Sequence, residues 1–95
     1  MAIARVFEGK GWTPQQYDAL IARLVADLDL APGRAAPGVT FHWAAATDDG
    51  MRAVDVYESR EAADRLANES IGPIAGELGL AVPDITEYEV HNALN

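Results

Sequence analysis

The sequence predicts an α+β fold of order β-α-β-β-α-β, a four-stranded antiparallel sheet with both helices on one face. Three observations carry this expectation. A turn dipeptide, Asp49-Gly50, sits between two runs rich in Val, Phe, Trp and Tyr, the pattern of a β-hairpin. Upstream, Tyr17, Leu20, Ile21, Leu24, Val25 and Leu28 recur at spacings of three and four, the apolar stripe of an amphipathic helix. Downstream, the chain from Ile85 to His91 alternates as a closing strand does.

Taken in order, AIARVFEG alternates weakly and suits a first strand ending at Gly9-Lys10-Gly11. Thr13 then reads as an N-cap, with Pro14 at the first helical position and Gln16 able to complete a capping box. The helix stops before Ala31-Pro32-Gly33, and a loop through Pro37-Gly38 leads to the hairpin. After it, Ser59 caps a second helix with Glu61 in its first turn and a small apolar face of Ala62, Ala63, Leu66 and Ala67. Gly72-Pro73 is expected to break that helix and start a short third one through Ile74, Ala75 and Leu78. Pro83 introduces the last strand, with Ile85, Glu87, Glu89 and His91 on one face and Thr86, Tyr88 and Val90 on the other. Connection rules fold this order most simply into the sheet stated above, as one domain over residues 1–95.

The hairpin carries the least ordinary side chains. A two-residue loop at Asp49-Gly50 sets His42 opposite Tyr57, Trp43 opposite Val56 and Ala44 opposite Asp55. One face then holds Phe41, Trp43, Ala45, Val54 and Val56 and is expected under the helices. The other holds His42, Ala44, Ala53, Asp55 and Tyr57 and is expected bare. A four-residue loop keeps this sorting, whereas a three-residue loop would put Trp43 beside Asp55 and mix the two sets. A bare sheet face with this composition calls for a second copy packed sheet to sheet, a homodimer.

Composition narrows the partners. The net charge of −8 argues against nucleic acid and anionic membranes, since like charges repel before contact forms. With no cysteine there is no thiol nucleophile, disulfide or thiolate metal site. The amino terminus lacks the apolar core of a signal peptide, and no segment approaches the ~18 apolar residues of a membrane span, so a cytoplasmic location is expected. A chain of this length buries roughly 60 to 65% of its unfolded surface, a thin core that association would help.

The hairpin with its second-strand histidine, the Val54-Asp55-Val56-Tyr57-Glu58-Ser59-Arg60-Glu61-Ala62 run, the Ile71-Gly72-Pro73 break and the closing Tyr88-Glu89-Val90-His91-Asn92 together resemble the dimeric α+β barrel proteins, the antibiotic-biosynthesis-monooxygenase-like superfamily. The resemblance spans nearly the whole chain. It implies a ferredoxin-like protomer, a homodimer with a cavity in each subunit, and activities ranging over cofactor-free quinol oxygenases, polyketide cyclases, lyases, isomerases and haem-degrading enzymes. The haem-degrading branch uses a histidine in the second helix and an asparagine in the first strand. Here the helix from Arg60 to Asn68 has no histidine and the first strand carries Arg5 and Phe7, so no haem is expected. Tyr57 stands where many relatives place tryptophan.

The candidate catalytic set is His42, Asp55 and Tyr57. A carboxylate orienting an imidazole makes a general base, and a neighbouring phenol can donate to a developing enolate or phenolate. The bland alternative is a satisfied polar cluster at a dimer interface. Tyr17, on the helix stripe, can also line a cavity between helix and sheet, and His91 can lean over its mouth, although a histidine near a terminus is more ordinarily exposed. Glu87, Glu89 and His91 on one strand face make only a weak metal pattern. The chain is thus expected to be a cofactor-independent enzyme of oxygenase, cyclase or isomerase type, moving a proton on a small apolar, aromatic or polyketide-like ligand. The alternative is a non-catalytic dimeric module that binds or assembles.

Overall fold

A computed structural model describes residues 1–94 of the chain. The elements run β1 (Ile3–Lys10), α1 (Pro14–Leu28), β2 (Val39–Thr47), β3 (Gly50–Tyr57), α2 (Arg60–Leu66), a π-helical turn (Ala67–Ile71), α3 (Gly72–Glu77) and β4 (Asp84–Glu89). Four antiparallel strands form one sheet in the order β2-β3-β1-β4. This is the α+β, ferredoxin-like architecture expected from the sequence.

Local chemistry sets the helix starts. At Thr13 the capping box closes in both directions, with Gln16 N–H donating to Thr13 Oγ1 at 3.1 Å and Thr13 N–H to Gln16 Oε1 at 3.0 Å. Ser59 Oγ accepts from Ala62 N–H at 3.1 Å in the same role. Leu20 and Leu24 on α1 reach a core shared with Ile3, Ala36, Tyr57, Ala63, Leu66 and Ile74.

Gly72-Pro73 does not break the helix as expected. Proline cannot donate the next helical hydrogen bond, and its ring would strike the carbonyl four residues back. The chain answers by widening: Gly72 N–H bonds Ala67 O across a π turn, and the backbone stays helical. A Cβ on Gly72 would lie 2.8 Å from that same carbonyl, so only glycine allows the approach.

The hairpin register differs from expectation by two residues. His42 pairs with Asp55, Trp43 with Val54 and Ala44 with Ala53, because the loop is Asp48-Asp49 and Gly50 already belongs to β3. Neither aspartate has a positive φ, so the turn is not type I′. Gly50 serves packing instead. A Cβ there would fall 2.0 Å from Gly9 O, where the hairpin tip crosses the end of β1 and Gly11 N–H donates to Asp49 O at 2.8 Å. An irregularity between Val39 and Phe41 absorbs one further residue, so Tyr57 pairs with Val39.

A shift of two preserves which side chains share a face, but the two faces are exchanged relative to the helices. His42, Ala53, Asp55 and Tyr57 point under the helix layer together with Ile3 and Phe7 of β1 and Ile85 of β4. Phe41, Trp43, Val54 and Val56 look outward, and with them Ala4, Val6 and Tyr88. Phe41 is 51% exposed, Trp43 41% and Tyr88 57%. The hairpin alone makes the outward set look like core; β1 and β4 supply apolar partners to both faces, and it is Ile3 and Tyr57 that cluster with Leu20, Leu24, Ala63, Leu66 and Ile74 of the helices. Among the described residues no helix is long and apolar enough to cross a membrane.

Candidate functional site

Between α1, the π turn and the inner sheet face lies a cavity of about 330 Å³. That is at the small end of the roughly 300–1,000 Å³ typical of ligand sites. Its walls are almost wholly apolar: Phe7 and Ile85 from the sheet, Leu20, Ile21 and Leu24 from α1, Ala67, Ile71 and Ala75 from the far helices. Trp12 closes one side, held by its indole N–H donating to Ala81 O at 2.9 Å.

One chain of hydrogen bonds interrupts these walls. Tyr17, on α1, meets His42 Nε2 through its hydroxyl at 2.5 Å, the two rings lying within 6° of parallel. On the other side of the imidazole, His42 Nδ1 is hydrogen-bonded to Asp55 Oδ1. The second carboxylate oxygen, Oδ2, accepts from the Tyr57 hydroxyl at 2.8 Å. Asp55 is 6% exposed, yet both its oxygens are partnered, which is how a buried carboxylate is tolerated. With Asp55 ionised, Nδ1 carries the proton it donates, so Nε2 of a neutral imidazole is the acceptor for Tyr17 O–H.

The electrostatics keep both phenols protonated. Burial pushes the Tyr57 hydroxyl well above its ordinary value, and the Asp55 charge and hydrogen bond push it further. Tyr17 is raised by burial first and then by the charges of Asp55 and Asp18. Behind Tyr57, the Arg5 guanidinium lies 5.9 Å from the ring centroid and is tied to Asp64 at 2.7 Å and Glu87 at 3.0 Å. Arg60 also binds Glu87, at 2.7 Å.

The structure therefore gathers His42, Asp55, Tyr57 and Tyr17 into one hydrogen-bonded chain, on the helix side of the sheet rather than on a bare face. His91 is not part of it. It lies beyond β4, exposed and away from the cavity lining, because the strand ends at Glu89. The weak metal pattern on β4 dissolves as well: Glu87 turns to Arg5 and Arg60, and among the described residues no group of three or more His, Asp or Glu is placed to hold a metal ion. In the sequence Tyr17 reads as a lining residue, with nothing to announce its bond to His42. Trp12 and Arg34, absent from the expected site, also line the cavity. Trp12 precedes the N-cap and Tyr17 is the fourth helical residue, a hydrophobic-staple spacing that would have flagged the pair. Arg34, between two Ala-Pro-Gly turns, has no such signal.

Solved structures share this architecture across essentially the whole chain. A provisional antibiotic biosynthesis monooxygenase from Chloroflexus aurantiacus superposes with a TM-score of 0.66 at 20% identity, covering 100% of this chain and 98% of that one. Rv0793 from Mycobacterium tuberculosis gives 0.66 at 21% identity with 100% of both chains covered. SnoaB, a cofactor-independent oxygenase from Streptomyces nogalater, gives 0.61 at 19% identity, covering 98% and 94%. The chain has the antibiotic-biosynthesis-monooxygenase-like fold. No protein-family model matches it, and no curated protein matches its sequence. At such identities the likeness establishes the fold, and the chemistry has to come from the side chains above.

Proposed function

We propose that this chain is a cofactor-independent enzyme of the antibiotic-biosynthesis-monooxygenase-like superfamily, a single domain over residues 1–95 that removes a proton from a small aromatic or polyketide-like ligand. The observation that carries the proposal is the Asp55–His42–Tyr17 relay ending at an open apolar cavity. A module that merely assembled would be expected to fill that space with its own side chains.

In the proposed step the ligand's acidic C–H or O–H gives its proton to Tyr17 Oη as Tyr17 passes its own to His42 Nε2. The ligand is left as an enolate or phenolate. Tyr17 remains a phenol and can donate back to that anion. His42 becomes an imidazolium paired with the Asp55 carboxylate, which offsets the charge in an apolar site. Tyr57 does not touch the ligand in this scheme: its hydroxyl is committed to Asp55, making it a positioning residue rather than the anion stabiliser expected from the sequence. Whether oxygenation, cyclisation or isomerisation follows depends on the ligand bound, and the oxygenase activity of SnoaB favours the first.

The outward face, with Phe41, Trp43 and Tyr88 exposed, is proposed as the sheet-to-sheet contact of a homodimer. A cytoplasmic location completes the proposal.

Deuterium exchange at C1 of 2-tetralone, an enolisable bicyclic ketone, tests the proton step by NMR. Wild type is expected to accelerate exchange, and His42→Ala or Tyr17→Phe to lower the enzymatic rate by about 10²–10⁴-fold. Exchange that persists undiminished in folded His42→Ala would overturn the assignment.

A further inference from the structure

We propose that Arg34 recognises an anionic group at the mouth of the cavity, so that the preferred ligands carry a carboxylate on an apolar body. This rests on the cavity being the ligand site proposed above, and it specifies the ligand class.

Four of the six arginines are engaged with carboxylates: Arg5 with Asp64 and Glu87, Arg23 with Glu77, Arg52 with Glu8, and Arg60 with Glu87. Arg34 makes no ion pair among the described residues, although the chain carries a net charge of −8. It is also the one arginine or lysine in the cavity lining. The backbone that presents it is pinned on both sides. Arg34 N–H donates to Ala31 O at 3.1 Å, Val39 N–H donates to Ala36 O at 3.0 Å, and Ala36 is buried in the core.

Exposure grades along the cavity and orients the ligand. Arg34 is exposed where it lines the cavity, whereas Asp55 and Tyr57 are buried in its wall. An acidic group placed deep would face the Asp55 carboxylate and lose its hydration. At the mouth it keeps water and gains a guanidinium, whose planar fork matches a carboxylate. The apolar body is then directed inward, toward Tyr17 and His42. Arg34 is a binding and orienting residue in this scheme and takes no part in the proton transfer.

The test compares 2-naphthoate with 2-naphthamide, two ligands of one shape that differ in charge. Binding is followed through the Tyr17 and His42 side-chain NMR resonances, so that only cavity occupancy counts. Wild type should bind the naphthoate about tenfold tighter. Arg34→Gln should bring the two within about twofold while leaving the naphthamide affinity unchanged, and Arg34→Lys should keep part of the preference. Arg65→Gln removes an equal charge from α2, away from the cavity lining, and should leave the ratio as in wild type. The proposal is overturned by equal binding of the two ligands to wild type, by an unchanged ratio in Arg34→Gln, or by an equal loss in Arg65→Gln. Neither naphthalene need react, so these outcomes are independent of whether the relay moves a proton.

Discussion

The Tyr57 hydroxyl donates to Asp55 Oδ2 at 2.8 Å, between residues two apart on one strand and therefore on one face of the sheet. That bond occupies the carboxylate oxygen left free by His42, so both oxygens of this buried side chain have a partner under the helices. It also joins the site to the frame of the protein, since the Tyr57 ring is packed in the core beside Arg5.

Removing the hydroxyl alone should therefore be costly. Tyr57→Phe leaves a buried carboxylate oxygen without its donor, a loss of about 1–3 kcal/mol that urea denaturation at neutral pH would read. An unchanged midpoint would mean that water reaches Asp55 once the hydroxyl is gone.

Alkaline pH should weaken the fold through the same tyrosine. The unfolded chain releases its phenol protons near the ordinary value of 10.0, whereas burial and Asp55 hold the folded Tyr57 well above it. Below that pH the contribution is fully present; above it the folded state binds more protons, so stability falls as pH rises. The slope from Tyr57 is at most about 1.4 kcal/mol per pH unit. Urea midpoints measured at pH 8 and above 10 should fall for wild type and fall less steeply for Tyr57→Phe.

Two glycines should respond in opposite directions to the same methyl group. Gly50→Ala drives a Cβ into Gly9 O, where neither backbone can yield cheaply, and should destabilise by about 1–3 kcal/mol. Gly76, on α3, has open space where its Cβ would be. Gly76→Ala should stabilise by about 0.5–1 kcal/mol. Thermal denaturation of the pair separates a glycine required by packing from one that is only tolerated.

Trp43→Glu puts a charge on the outward face without touching the cavity lining. Sedimentation velocity should show it as a monomer at concentrations where wild type is a dimer, with 2-naphthoate binding retained. A wild-type monomer at all concentrations would remove the proposed association.

The order of elements, the capping box at Thr13 and the shared face of His42, Asp55 and Tyr57 were all legible in the sequence, because each depends on local chemistry or on strand parity. Which side of the sheet that face looks toward was not. Parity within Val39–Thr47 and Gly50–Tyr57 sorts side chains into two sets, but which set meets Leu20, Leu24, Ala63, Leu66 and Ile74 of the helices is settled by packing outside the hairpin. The two-residue shift in register had a similar cause, since Gly50 resembled a turn residue while its true constraint is the neighbouring strand. Tyr17 meeting His42 is a contact across 25 positions in sequence, and no periodicity announces it.

Odd and even positions of the one hairpin thus answer to different demands. His42 and Asp55 look into the pocket, while their immediate neighbours Phe41, Trp43, Val54 and Val56 look toward whatever lies outside. If the proposed pocket and the proposed association hold, ligand range and quaternary contacts are in this way written in adjacent codons yet free to drift apart by point substitution. An insertion or deletion of one codon within either strand is the change that would trade them both at once, turning the lining outward and the outer surface in.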